Sequence, residues 1–237
     1  MEIRGERECR DCGSRWRYYD TGSVACPNCG SLVSVGVDDR QRHTDAPVEL
    51  NLSPQRRTAD EKGVLAVVAT VGSDLSAYLS RRGFRNAGDL LSLDDTYLAA
   101  AELRHVADVA ERRRSTTDAE EIYLLALLTG ADHGDRPAPD DVPGSMAPAR
   151  ALAYADAILD YRGEVVTYLR DTGEDAAARR TLGRVADRAK RIRAIDGAVP
   201  IQEVETLVTA TRAVFAALTE GDKAAVSRAN DRLDALN

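Results

Sequence analysis

The residues best suited to chemistry are four cysteines, all within the first thirty residues of the chain. They form two C-x-x-C pairs with thirteen residues between the pairs. Thiolates at this spacing are typical of a closed tetrahedral zinc site with a structural role. The glycine after each pair permits the positive φ that such turns favour. The sequence therefore predicts one structural Zn²⁺ bound by Cys9, Cys12, Cys26 and Cys29.

Iron or two disulfides are the alternatives for the same four sulfurs. Residues 1–10 are mostly charged and lack the apolar run of a signal peptide, so we expect a cytoplasmic chain. Reduced thiols in that compartment favour a metal. A catalytic zinc would need an open coordination position, and the nearest ligand of another type is His43.

The residues around the cysteines predict short strands at 14–19, 23–25 and 32–37. Alternation along the first strand places Trp16 and Tyr18 on one face and Arg15, Arg17 and Tyr19 on the other. Forty residues bury too little apolar surface to fold alone, so the metal would hold this segment together. The predicted unit is a small N-terminal β zinc ribbon.

The motif C-x-x-C-G…C-P-x-C-G resembles the zinc ribbon of transcription factor IIB. Other segments resemble an uncharacterised zinc-ribbon family of halophilic archaea, and this resemblance extends over the whole chain. It implies a ribbon, four metal ligands and a helical remainder, and it implies no activity. The cyclin-like repeats of the transcription factor are not evident, so a general initiation role is not implied. The segments that carry the resemblance are Arg4–Cys9, Trp16, Tyr18-Tyr19, Cys29-Gly30-Ser31 and 94–105.

Composition limits the possible partners. The 237 residues carry a net charge of −7, with three lysines against 29 arginines and 25 aspartates against 14 glutamates. This bias is typical of proteins in a salt-rich cytoplasm, where nonspecific binding to nucleic acid is weak. No apolar run approaches twenty residues, so we expect no membrane span.

The remainder of the chain is predicted to be helical, which gives a mainly α protein: a zinc ribbon at 1–44, a linker at 45–53 and an all-α helical bundle at 54–237. Residues 48–52 alternate like a short strand, but they could equally form an extended arm that packs on the next domain. The apolar run 122–128 should form a central helix in which Leu124, Leu125 and Leu128 are buried. The Pro- and Gly-rich segment 131–145 should be the longest loop.

Two basic surfaces are candidates for partner contacts. Arg15 and Arg17 alternate with aromatic residues, a pattern that can clamp single-stranded nucleic acid; alternatively, the aromatics form the ribbon's own core and the arginines are solvated. A second set lies on one stripe of a helix. It could contact phosphates, an acidic partner or the acidic segment 132–141, or simply be solvated and self-paired. Its members are Arg180, Arg184, Arg188 and Arg191.

No catalytic motif is found. Glu102 and His105 form half of a di-iron signature, but with three histidines in the chain the full site cannot be assembled. Tyr154, Tyr161 and Tyr168 recur at heptad spacing and are more typical of a core than of a cofactor site. No small-molecule substrate is indicated.

The sequence predicts a non-enzymatic interaction or adaptor protein that binds zinc and another protein. The alternative is a transcription- or RNA-associated protein that binds nucleic acid through the ribbon and the 180–191 stripe. A third hypothesis, an enzyme hidden in the bundle, would require a deep pocket that gathers buried polar residues. Candidates for such a pocket are His105, Asp156, Asp160 and Arg162.

Overall fold

The computed structural model describes residues 2–113, 115–173 and 175–236. It is mainly α, with a small β region at the N-terminus followed by a helical bundle. The chain divides into two compact units, the first comprising Met1–Val48 and Ser80–Leu91 and the second Glu49–Leu79 and Ser92–Asn237. Among the described residues, no helix is both long and apolar enough to cross a membrane.

The first unit is built from short antiparallel strands and a single helical turn. Strand β2 is central in a three-stranded sheet of order β3-β2-β4, and β1 pairs with β5 in a second sheet. The elements are β1 (Glu2–Arg4), β2 (Glu6–Cys9), β3 (Arg15–Arg17), the turn α1 (Tyr18–Thr21), β4 (Ser34–Gly36) and β5 (Arg40–Arg42).

Two of the strand predictions need correction. The strand predicted at 14–19 ends at Arg17, because Tyr18 begins the turn α1. Residues 23–25 are not a strand, whereas 32–37 does contain β4. Residues 48–52 have no regular secondary structure, so of the two alternatives for them the strand is wrong. The helical turn also changes the predicted faces: Tyr19 is buried and Tyr18 is half-buried. Alternation therefore holds only as far as Arg17.

A β-hairpin after residue 60 contradicts the expectation that this region is entirely helical. Strands β6 (Arg85–Asn86) and β7 (Asp89–Leu90) are joined by Ala87 and Gly88, which both have positive φ (52° and 90°). Positive φ at both central positions is the geometry of tight hairpin turns. The buried guanidinium of Arg85 donates to the Gly88 carbonyl at 3.0 and 2.7 Å, and the Thr44 amide donates to the Arg85 carbonyl at 2.9 Å.

The second unit is a helical bundle. Its longest helix, α6, packs against α4, α7 and α8, and α8 packs against α9. The helices are α2 (Ser53–Lys62), α3 (Val68–Arg81, whose last two residues belong to the first unit), α4 (Asp95–Arg112), α5 (Asp118–Gly130), α6 (Ala147–Thr172), α7 (Ala176–Ala194), α8 (Ile201–Thr219) and α9 (Lys223–Asp234).

Capping residues set several helix starts. Asp94 accepts from the Tyr97 amide at 2.7 Å and begins α4. Thr117 and Glu120 form a reciprocal capping box at α5. Asp175 accepts from the Ala177 and Ala178 amides and begins α7. Each side-chain oxygen satisfies amides that have no partner within the helix.

The prediction for α5 is right in two of three positions. Leu124 and Leu128 are buried, but Leu125 is 44% exposed, so its predicted burial is wrong. Successive helical residues are separated by about 100°, and Leu125 lies outside the one side of α5 that is buried. The buried residues on that side are Glu120, Tyr123, Leu124, Leu127 and Leu128. The connection 131–146 between α5 and α6 is the longest in the described chain, as predicted, and it contains two 3₁₀ turns.

Candidate metal centre

The two C-x-x-C turns have nearly the same backbone geometry. In the first, the Gly13 amide donates to the Cys9 carbonyl at 3.0 Å, and the Cys9 amide donates to the Ser14 carbonyl at 2.9 Å. In the second, the equivalent bonds, Gly30 to Cys26 and Cys26 to Ser31, are both 2.8 Å. Gly13 and Gly30 have φ of 73° and 74°. Each turn therefore presents two sulfurs on the same side of its backbone.

The two turns bring all four sulfurs together. Every Sγ atom lies within 4.8 Å of the others, and the cross-turn pairs Cys9–Cys29 and Cys12–Cys26 are each 3.6 Å apart. That separation is too long for a disulfide. Four sulfurs about 2.3 Å from a central ion form a tetrahedron with edges of about 3.8 Å. The cluster therefore has the dimensions to hold a metal ion such as zinc.

The pKa values of these thiols also favour the binding of a cation. Hydrogen bonds to Ser14 lower the pKa of the Cys12 thiol to about 6. At Cys29 the Ser31 amide acts to lower the pKa, but hydrogen bonds with the neighbouring thiols of Cys12 and Cys9 raise it to about 12. Thiols this close share protons and resist ionising together, whereas a bound cation would stabilise all four as thiolates.

Polar contacts around the sulfurs fix the two turns relative to each other. The Ser31 hydroxyl donates to the Asp11 carboxylate and so links the turns directly. The Asn28 side-chain amide lies 3.8 Å from the Cys12 sulfur, and the Cys12 thiol lies 3.3 Å from the Ser14 hydroxyl. These outer contacts orient the sulfur donors.

Trp16 packs against two cysteines of this cluster. It is 7% exposed, forms a small core with Cys9 and Cys26, and donates through Nε1 to the Ser23 carbonyl at 3.2 Å. Arg15 and Arg17 are exposed on either side of it and pair with Glu8 at 2.7 Å and Glu6 at 3.1 Å. The aromatic side chain between the two arginines is therefore core and is not free to stack on a base.

The predicted arginine stripe on α7 separates into two kinds of residue. Arg184 donates to Asn230 at 2.7 Å and pairs with Asp234, so it is tied to α9. Arg188 pairs with Glu203 at 3.4 Å and donates to the Leu233 carbonyl at 3.3 Å. Arg180 and Arg191 are exposed. Half of the stripe therefore serves helix packing.

Glu102 and His105 do not face one site. Glu102 is fully buried and accepts hydrogen bonds from the hydroxyls of Tyr123 and Tyr154. Burial raises its pKa, opposed by the nearby charge of Arg150. His105 is half-buried with Nε2 3.4 Å from Asp156. This buried polar network was missed from the sequence, because nothing in the spacing of Glu102 distinguishes it from a solvated acid.

The fold and the cysteine geometry define a mainly α protein with an N-terminal four-cysteine cluster that could hold a metal ion. Within the described residues, this is the one group of three or more potential ligand side chains close enough to do so. The chain belongs to a family described as "Family of unknown function (DUF7117)", whose model matches residues 1–233. Comparisons with curated proteins and with solved structures found no match.

Proposed function

We propose that this protein binds one Zn²⁺ through Cys9, Cys12, Cys26 and Cys29, and that the metal is structural. The observation that carries the proposal is the four-sulfur cluster, in which all sulfurs lie within 4.8 Å of one another and two pairs are 3.6 Å apart. The proposed unit is a zinc ribbon of the transcription-factor-IIB type, which the C-P-x-C-G turn supports.

The ligand set supports a structural role over a catalytic one. All four positions are cysteine, which leaves no coordination position for water or a substrate. Cys9 and Cys26 are buried against Trp16, so the metal would add to a core that is too small to hold this unit together alone. Iron bound by the same thiolates is distinguished by its strong visible absorption, which zinc does not have.

We further propose that the whole chain is a non-enzymatic adaptor that binds another protein. The supporting observation is a set of contacts inside the bundle: Glu102 accepts hydrogen bonds from Tyr123 and Tyr154, and Arg150 pairs with Glu205 at 2.6 Å. None of these groups is left to act on a substrate. A cytoplasmic, salt-rich setting accords with the arginine-rich, acidic composition.

The alternative, binding to nucleic acid, has weaker support. Arg15, Arg17, Arg184 and Arg188 each pair with an acid of the same chain. Exposed basic contacts would have to come from residues such as Arg180 and Arg191. Binding through so few phosphate contacts would be weak and would fall further as salt rises.

The test is cross-linking and purification of the full chain from its native host, with and without nuclease. The adaptor proposal predicts a stoichiometric partner protein that nuclease does not remove. If nuclease treatment removed the co-purified molecules, the result would favour the nucleic-acid alternative. Recovery of the chain alone under both conditions would contradict the adaptor proposal.

A further inference from the structure

Helix α5 presents apolar side chains to solvent. Ile122 is 68% exposed and Leu125 is 44% exposed, and both are among the most exposed large apolar residues of the second unit. Ala119 and Ala126 are also exposed on this helix. The opposite side of α5, with Leu124 and Leu128, is buried in the bundle. The helix therefore has two apolar faces, and only one of them is covered.

A groove of about 710 Å³ lies beside this outer face. One wall is α5, with Ala119, Ile122 and Ala126. The other wall is the connection between α5 and α6. It contributes apolar contacts from Pro137, Val142 and Pro143 and three aspartates, Asp135, Asp140 and Asp141.

The groove wall is held in place from within the bundle. Arg136 pairs with Asp95 at 2.8 Å and donates to the Tyr154 hydroxyl, and Arg150 donates to the Pro137 carbonyl at 2.9 Å. At the far end, the Ser145 hydroxyl donates to Glu120 at 2.5 Å. The groove is therefore formed in the free chain, which lowers the entropic cost of binding.

The charge of the groove identifies the kind of partner. Tyr123 and Arg136 line it, but their polar atoms are engaged with Glu102, Tyr154 and Asp95 and are not available to orient a small molecule. The remaining charged groups are the carboxylates of Asp135, Asp140 and Asp141. All three residues are exposed, and no ion pair joins these carboxylates to a cation in the described part of the chain.

We propose that this groove binds an amphipathic basic helix of a partner protein, with its apolar residues against α5 and its lysines or arginines against the three aspartates. Recognition of a helix in a groove uses apolar anchors at i, i+3, i+4 and i+7, and complementary charge adds specificity. The inference rests on the proposed adaptor function and names the chemistry of its partner.

The experiment uses the full chain and a fluorescent synthetic peptide of about 14 residues, made of leucine and lysine with leucines on one helical face. Binding is followed by anisotropy. The test variants are Ile122→Glu on the helix and Asp140→Lys/Asp141→Lys on the rim. Their matched controls are Ile195→Glu, at another exposed apolar residue, and Asp187→Lys/Asp231→Lys, which makes the same change in net charge elsewhere.

We expect each test variant to weaken peptide binding about tenfold or more, and each control to stay within about twofold of wild type. A leucine–glutamate peptide of the same pattern should bind far more weakly. All the substituted side chains lie on the surface, and unfolding curves for each variant verify that it folds.

Equal binding by wild type and both test variants would overturn the proposal, as would equal weakening by the controls. So would self-association of the chain that Ile122→Glu abolishes, because a second copy would then occupy the groove. A failure of the groove proposal can be distinguished from a failure of the adaptor proposal. If the Ile122→Glu variant still bound the native partner, the groove would not be the binding site, but the adaptor function would stand.

Discussion

The guanidinium of Arg150 on α6 lies 3.6 Å from the carboxylate of Glu102 on α4, and the two side chains are 2% and 0% exposed. Arg150 also pairs with Glu205 on α8 at 2.6 Å, and Glu102 accepts from Tyr123 on α5. One buried network therefore joins four helices. A buried ion pair adds little over an apolar core, but removal of one partner leaves an uncompensated charge.

We expect Arg150→Met to lower the free energy of unfolding by about 3–5 kcal/mol, because Glu102 and Glu205 would lose their shared cation. Urea unfolding followed by circular dichroism at 222 nm measures the change. Arg191→Met, at an exposed arginine, is the matched control and should be nearly neutral. Similar midpoints for the two variants would show that the network does not stabilise the bundle.

Gly197 and Gly221 offer a comparison at the same backbone conformation, since both have φ of 76°. A Cβ at Gly197 would lie 2.4 Å from the Pro148 carbonyl oxygen, whereas one at Gly221 would meet nothing within 4 Å. Gly221→Ala should therefore cost only the left-handed strain of about 1–2 kcal/mol. Gly197→Ala should cost roughly 1–3 kcal/mol more. Equal thermal shifts would contradict the close approach to α6.

Glu120 should contribute stability that depends on pH. A hydrogen bond from Ser145, together with the Thr117 amide, lowers the Glu120 pKa from its ordinary value of 4.5 to about 2. A lowered folded-state pKa stabilises the protein above pH 4.5, and this contribution is lost as pH falls toward 2. The stability difference between wild type and Glu120→Gln should shrink over that range in urea titrations. A difference independent of pH would assign the effect to shape alone.

Arg184 and Arg180 on α7 should differ in their contribution to the free energy of unfolding. Arg184→Ala removes contacts to Asn230 and Asp234 and should cost up to about 1 kcal/mol. Arg180→Ala lies on the exposed part of the same helix and should change little. Chemical unfolding of the two variants measures this difference. If Arg180→Ala were the more destabilising, the contacts of Arg184 with α9 would not contribute as described.

The helices could be predicted because their signals are local. Asp94, the Thr117–Glu120 capping box and Gly173 mark ends that depend on bonds within a few residues. The four cysteine ligands could also be predicted from the sequence, because each C-x-x-C pair lies within one local turn. The structure brings these sulfurs together as the spacing predicts.

The remaining differences arise from contacts distant in sequence. The hairpin β6–β7 has two-residue strands, too short for any alternation, and is fixed by the bond between Thr44 and Arg85. Leu125 is exposed because α5 is packed on one side, which an apolar run cannot reveal. The acidic partners of Arg184 and Arg188 lie on other helices, so the spacing of the arginines along α7 could not predict these ion pairs.

The most direct test of the central claim is zinc X-ray absorption combined with elemental analysis on the full chain purified without added metal. Four thiolates from Cys9, Cys12, Cys26 and Cys29 predict one zinc per chain with four sulfur neighbours at about 2.3 Å. Cys12→Ser should lose the metal. Purified wild-type protein without metal, with iron in place of zinc, or with an oxygen or nitrogen ligand to the ion would contradict the account.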